Sequence, residues 1–148
     1  MKMNVQVGTY TFTATLEDND AVRELTEMMQ AGPVTIHMSD YSGFEKVGPL
    51  GRSLTTSNSQ TTTAAGDIVL YNGNNIVMFY GSNSWSYTRI GKIDDLTDWT
   101  AALGNGDITV ILLWQNNANK FVNRLLKRRI SYVRKFYLLQ PHEVVLWR

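Results

Sequence analysis

Apolar and polar residues alternate from the start of the chain. In "MNVQV" (3–7) and "YTFTATL" (10–16) nearly every second side chain is apolar, and Gly8-Thr9 separates the two runs. A period of two puts Tyr10, Phe12, Ala14 and Leu16 on one face and Thr11, Thr13 and Thr15 on the other, which predicts a β-hairpin. The period then changes. Val22, Leu25 and Met29 recur at helical spacing within "EDNDAVRELTEMMQAG" (17–32), with Asp18, Asn19 and Asp20 at its start and Gly32-Pro33 at its end. Side-chain oxygens there cap free N–H groups and acids meet the positive end of the dipole, so a helix of about three turns is predicted.

Alternation returns in "VTIHMS" (34–39), with Val34, Ile36 and Met38 opposite Thr35, His37 and Ser39. Residues 40–66 read as a connection, broken by Gly43, Gly48, Pro49 and Gly51; a short strand near 45–47 is not resolved by the pattern. A connection this long tends to be functional or mobile. "DIVLY" (67–71), "NGNN" (72–75) and "IVMFYG" (76–81) form the clearest hairpin, its Asn72-Gly73 suited to a tight primed turn. Both strands are apolar on both faces, which predicts central strands covered on each side. "SYTRIGKI" (86–93) is a further strand, "DDLTDWTAALG" (94–104) a second short helix with a Leu96, Trp99, Leu103 stripe, and "DITVILLW" (107–114) a closing strand. Many strands with two isolated helices argue for a mainly β fold, a barrel or curled sheet whose open ends are covered by helices.

The last stretch differs in kind. Val122, Leu126, Ile130, Val133 and Tyr137 mark an amphipathic helix ending near Pro141, with Lys127, Arg128, Arg129, Arg134 and Lys135 on its polar sides. Charge divides the chain at the same place. Residues 1–114 carry six bases against twelve acids; residues 115–148 carry eight bases against Glu143 alone. The expected organisation is a barrel domain, 1–114, and a basic helical extension, 115–148. Such a helix is an extension without a selected role, an element that packs on the acidic body of its own chain or of a partner, as in a homodimer, or a surface for acidic membranes or nucleic acid. The abrupt change in composition places the first reading ahead of the others and the membrane and nucleic-acid readings last.

Four strings carry a resemblance: "FTATLEDN" (12–19), "MSDYSGFEKVG" (38–48), "AAGDIVLYNGNNIVMFYG" (64–81) and "SYTRIGKIDD" (86–95). With their spacing they resemble the bacterial and archaeal cyclophilin-like family of uncharacterised proteins over roughly residues 3–114. The resemblance implies a closed cyclophilin-like β-barrel capped by two short helices. It implies less about activity. Cyclophilins that isomerise X-Pro bonds carry an F-H-R segment and an F-M-x-Q-G-G-D segment, and both are missing; "GDIVLY" keeps only the Gly66-Asp67 pair. Prolyl-isomerase machinery therefore does not carry over residue by residue.

The remaining chemistry is sparse. The 148 residues are 43% apolar and 18% charged, enough for a real core, and contain no cysteine, which excludes disulfides and thiolate catalysis. Nothing at the N-terminus reads as a signal peptide and no run is long enough to cross a bilayer, so a soluble, cytoplasmic protein is expected. With only His37 and His142 available, no metal site is expected, and no cofactor. No G-x-S-x-G and no phosphate-loop motif occurs. Asp40 and Glu45 flank "YSGF" as possible carboxylates for acid–base work; the plainer expectation is that Asp40 caps a turn and Glu45 pairs with a base such as Lys46 or Arg89. Arg89 stands in a strand with Tyr80, Trp85 and Tyr87 close in sequence. Together these four are the candidate ligand-binding residues of a shallow groove for a peptide or small molecule; the competing expectation is that Arg89 pairs with an acid and braces the barrel wall. The leading function is a non-catalytic binding module. The alternatives are a weak prolyl isomerase or other enzyme, and an interaction protein using its basic C-terminal helix.

Overall fold

The N-terminal alternation folds as a hairpin, Lys2–Val7 (β1) against Tyr10–Leu16 (β2), in a computed structural model that describes residues 1–115. The basic helix predicted beyond the barrel, with the homodimer surface assigned to it, lies outside the described residues. The helical period gives Asp20–Ala31 (α1), capped by the Asn19 side chain, which accepts from Val22 N at 2.9 Å. Val34–Tyr41 (β3), Glu45–Pro49 (β4), Ser59–Thr62 (β5), Asp67–Tyr71 (β6), Asn75–Phe79 (β7), Ser84–Ile93 (β8), Trp99–Leu103 (α2) and Ile108–Gln115 (β9) follow. The sheet runs β2-β1-β9-β3-β4-β7-β6-β8, and a β2–β8 pairing joins its ends, so eight strands form a closed barrel. The ninth strand, β5, extends outward on the first half of β8, from Ser59 opposite Tyr87 to Thr62 opposite Ser84.

The joining seam is short: Ala14, Thr15 and Leu16 pair with Ile93, Lys92 and Gly91. Backbone bonds from Glu17 N to Ile90 O and from Asp94 N to Thr13 O, each 2.9 Å, extend it at both ends. Two glycines let strands approach where a side chain has no room. A Cβ on Gly91 would lie 2.5 Å from the Thr15 carbonyl oxygen, and one on Gly48 2.2 Å from that of His37. Inside the barrel, Ile36, Ile68, Leu70, Ile76, Met78 and Ile90 are fully buried, and Val22, Leu25 and Met29 of α1 join the same core. Trp99 of α2 is buried edge-on to Phe12, ring centroids 4.9 Å apart, and donates from Nε1 to Phe79 O at 2.9 Å.

Strands β6 and β7 are apolar on both faces because both faces are covered. Ile68, Leu70, Ile76 and Met78 point into the barrel, while Val69, Val77 and Phe79 form a second, outer cluster with Tyr87, against which Phe44, Val47 and Tyr71 pack. Burying each large side chain of that cluster contributes about 1.5–3 kcal/mol.

Two expectations are corrected. The second helix does not span 94–104 but only Trp99–Leu103, and Leu96 is exposed. The acids before it make local and seam contacts instead of a helical first turn: Asp94 accepts from Lys2 and Thr15, Asp95 accepts from Thr97 N, and Asp98 takes a positive φ of 66°. The 40–66 connection is likewise not a free loop. The short strand considered near 45–47 is present as β4, β5 follows it, Leu50 and Leu54 are buried, Thr55 is held by both carboxylate oxygens of Glu24, and Ser57 N donates to Thr88 Oγ1.

Gly91→Val places a methyl-bearing Cβ against seam backbone and is expected to cost about 1–3 kcal/mol. Urea unfolding of wild type and variant measures it; an unchanged midpoint is incompatible with a seam fitted around Gly91.

Candidate functional site

The turn after β3 decides which side chains face which way. Ser42 and Gly43 take positive φ values of 53° and 73°, and Gly43 N donates to the Asp40 side chain at 3.3 Å. The register that follows pairs Asp40 with Lys46 and Tyr41 with Glu45. Directly opposed residues share a face. Lys46 also opposes Met78 of the inner core and Glu45 opposes Phe79 of the outer cluster, so the two pairs look to opposite sides of the wall.

On the inner side Lys46 is 0% exposed. Its Nζ donates to Gly106 O at 2.6 Å and lies 3.3 Å from Asp40 Oδ1. The Tyr80 hydroxyl donates to the same Asp40 oxygen. The Tyr80 bond, then Lys46, hold the Asp40 carboxyl below its usual range, and the Asp40 bond pushes the Tyr80 phenol up to about 12. This is a satisfied ion-pair network that lets a lysine stay buried.

On the outer side a pocket of about 470 Å³ opens over the second cluster. Its lining combines Tyr41, Phe44, Tyr71, Trp85 and Tyr87 with Ser42, Glu45, Val47 and Asn83. Tyr87 is 3% exposed, set edge-on to Phe79 and Tyr71 at 5.7 and 6.2 Å between centroids. Tyr41 and Trp85 are both 57% exposed, and Tyr41 meets Phe44 edge-on at 5.8 Å. The rim is held by "GSNSW" (81–85), a segment tied down by hydrogen bonds. Thr63 N donates to Asn83 O and Asn83 N to Thr63 Oγ1, both at 2.9 Å, and Asn83 Nδ2 donates to the Tyr87 hydroxyl at 2.9 Å. Phe44 is fixed from behind, its carbonyl accepting from Tyr80 N and Gly81 N at 3.1 and 2.9 Å.

Glu45 is the unusual member. It is 6% exposed, and among the described residues its carboxylate has no hydrogen-bond or ion-pair partner. Burial, with the Asp40 charge adding to it, pushes its carboxyl up to about 7. The expectation that it pairs with Lys46 or Arg89 is corrected: Lys46 points to the other side of the wall, and Arg89 Nη1 reaches Asp67 at 4.0 Å. Asp40 does cap its turn, yet it and Glu45 face opposite sides, so they do not form one acid–base pair.

The structure divides the four predicted groove residues. Trp85 and Tyr87 line the outer pocket, whereas Tyr80 packs on the inner core and Arg89 lies along β8 beside Asp67, outside the described lining. Sequence reading missed Tyr41, Phe44 and Tyr71. A signal was present in "DYSGFE", where a tight turn brings Tyr41 and Glu45 opposite one another. His37 bonds Thr109 across strands at 3.0 Å, and no group of three or more metal-ligating side chains exists among the described residues. No helix among them is long and apolar enough to cross a membrane.

A closed barrel with two helices is the fold that the resembling strings implied, and a model of the cyclophilin-like family matches residues 5–112. The chain belongs to the cyclophilin-like family. Among solved structures, this cyclophilin-like protein is similar to a hypothetical protein from Archaeoglobus fulgidus known from its solution structure, with a TM-score of 0.51 and 13% identity over 76% of this chain and 93% of that one. At that identity the likeness shows the fold alone. No curated protein matches the chain significantly.

The Glu45 carboxyl makes stability depend on pH. Its folded value of about 7 lies above its ordinary 4.5, so folding favours the protonated form. Raising the pH from 5 to 8 ionises a desolvated carboxyl and lowers stability by on the order of 1–2 kcal/mol, discounted for the pocket's contact with solvent. Glu45→Gln should flatten that part of the curve, measured as the difference in urea midpoints between pH 5 and pH 8. Equal slopes for both proteins would contradict the assigned environment.

Proposed function

We propose that the protein is a non-catalytic binding module that takes a peptide or small ligand in its outer-face pocket, with Trp85 and Tyr87 among the contact residues. The observation that carries this reading is the concavity itself: about 470 Å³, walled by five aromatic side chains and rimmed by Ser42 and Asn83. That size and lining are those of small-molecule sites, where aromatic walls supply affinity and a few polar groups supply orientation. A flat barrel wall needs neither an exposed Trp85 nor an exposed Tyr41, since an apolar ring left in water gains nothing for folding. Catalysis is less well supported. A prolyl isomerase would set an arginine beside its substrate, and no arginine lines this pocket among the described residues; Arg89, the one on the strand carrying Trp85 and Tyr87, sits by Asp67.

A screen of short peptides and small fragments, read by amide chemical-shift changes, tests the proposal. Ligands are expected to shift residues 41–47 and 83–87, and Trp85→Ala should weaken them about tenfold, in line with truncation of a central aromatic contact. Arg89→Ala should leave them unchanged. Shifts that cluster elsewhere, or that respond to Arg89→Ala and not to Trp85→Ala, would overturn it. In a chymotrypsin-coupled proline-peptide assay the expected rate is the uncatalysed one; acceleration above background would favour the enzyme reading.

A further inference from the structure

We infer that the outer pocket selects an organic cation, an alkylated ammonium group held against the aromatic walls with its charge toward the Glu45 carboxylate. This rests on the reading of the pocket as a ligand site and adds the chemical class.

Three observations converge on it. First, the lining joins five aromatic residues, Tyr41, Phe44, Tyr71, Trp85 and Tyr87, to one acid. Ring faces carry negative electrostatic potential and attract cations, most strongly where water is excluded. Second, Glu45 is nine-tenths buried, lines the pocket and has no partner among the described residues. A partly desolvated carboxylate without a partner is costly, and a cation entering the pocket offsets that cost. Third, the two basic groups expected from the sequence to pair with it are engaged on other sides: Lys46 with Gly106 and Asp40, Arg89 with Asp67.

The same features exclude other classes. An anion would meet Glu45 with Asp40 behind it. A bare metal ion needs several oxygen or nitrogen ligands, and no cluster of three metal-ligating side chains occurs among the described residues. A neutral apolar ligand fits the walls but leaves Glu45 uncompensated. An alkylated ammonium is weakly hydrated, large enough to touch several rings, and needs one counter-charge. Such a head group comes either on a free small molecule or at the end of a methylated lysine, and the walls would recognise both alike.

The pH response follows from the groups around Glu45: Asp40 and Tyr41 on β3, Tyr71 on β6 and Tyr87 on β8, with Lys46 on β4 turned inward. Asp40 is held low and Tyr87 is raised by burial, so neither changes charge near neutrality. Glu45, near 7, does. Its ionised fraction rises about tenfold from pH 6 to pH 8, so cation affinity should rise by about the same factor.

The test titrates the full chain with choline, with a short peptide containing trimethyllysine, and with 3,3-dimethylbutanol, the neutral shape-mimic of choline. Binding is followed by amide shifts, with the Trp85 indole N–H signal among them. Choline, the methyl-lysine peptide or both should bind at least tenfold more tightly than the neutral mimic; which one binds identifies the source. Affinity should rise about tenfold from pH 6 to pH 8 in wild type and stay flat in Glu45→Gln, whose amide spectrum shows whether it remains folded. Equal binding of choline and its neutral mimic overturns the cation inference while leaving the pocket a ligand site. Binding of other ligands from the fragment screen, with no response to either cation, overturns it as well. If nothing at all binds there, both readings fall.

Discussion

The three-residue pairing of β2 with β8 is the constraint on which everything else depends. Without it, the sheet from β2 to β8 is an open ribbon with two long edges and no enclosed core. With it, alternate side chains acquire two unlike environments: a mainly apolar interior, whose buried lysine is paired, and an outer wall. Gly91 makes the closure possible because it opposes Leu16 on one side and Ile68 on the other, at a point where the Thr15 carbonyl oxygen leaves no room for a Cβ. The pairing of β6 with β8 shifts register between Ile68 and Val69, next to that glycine. An extra residue there bends the strand and increases its twist, which is what a barrel corner requires. Downstream of closure, Trp85, Tyr87 and Arg89 face outward along one strand, and the bend sends Arg89 toward Asp67 rather than toward the pocket.

Most of the barrel was legible because its strands are half-buried and therefore alternate, or are buried on both sides and therefore continuously apolar. The hairpins 3–16 and 67–81, the α1 helix and the closing strand follow directly from those two patterns. The misses share a physical cause. β5 is "SQTT", a polar strand added to the outside of β8, where Thr61 alone is buried; no periodic apolar signal exists to find. The second helix was overextended because Leu96, Trp99 and Leu103 have helical spacing. Helical spacing does not tell whether acids in the first turn cap the helix or bond elsewhere, and Asp94 and Asp95 bond elsewhere. β4 was obscured by its own inversion: it buries Lys46 inside and Glu45 outside, so its two charged residues look like a solvated loop.

The same inversion hid half of the candidate site. Trp85 and Tyr87 were visible as aromatics on a strand with an outward face. Tyr41, Phe44 and Tyr71 come from three other segments, and only the register β3–β4–β7–β6–β8 brings them over one patch of wall. Tyr80 and Arg89 were grouped with that patch by nearness in sequence, but adjacent residues in a strand face opposite ways. Tyr80 follows the outward Phe79 and turns inward to Asp40. Nearness along the chain is a poor guide to a shared site wherever the sheet divides two environments.

The two carboxylates on either side of "YSGF" show how far one tight turn can separate like groups. Both are acids within six positions of each other, and composition alone would treat them as equivalent. The turn gives Asp40 the inner face, where Tyr80, Lys46 and Gly43 N all stabilise its charge. It gives Glu45 the outer face, where burial under aromatic rings opposes ionisation and Asp40 adds repulsion through the wall. The inner acid is therefore structural: it compensates a buried lysine and anchors the strand that carries its neighbour. The outer acid contributes nothing comparable to folding, since an apolar residue opposite Phe79 would extend the outer cluster without a desolvation penalty. The positive charge that the barrel itself does not place beside this acid is the one the proposed cationic ligand would supply.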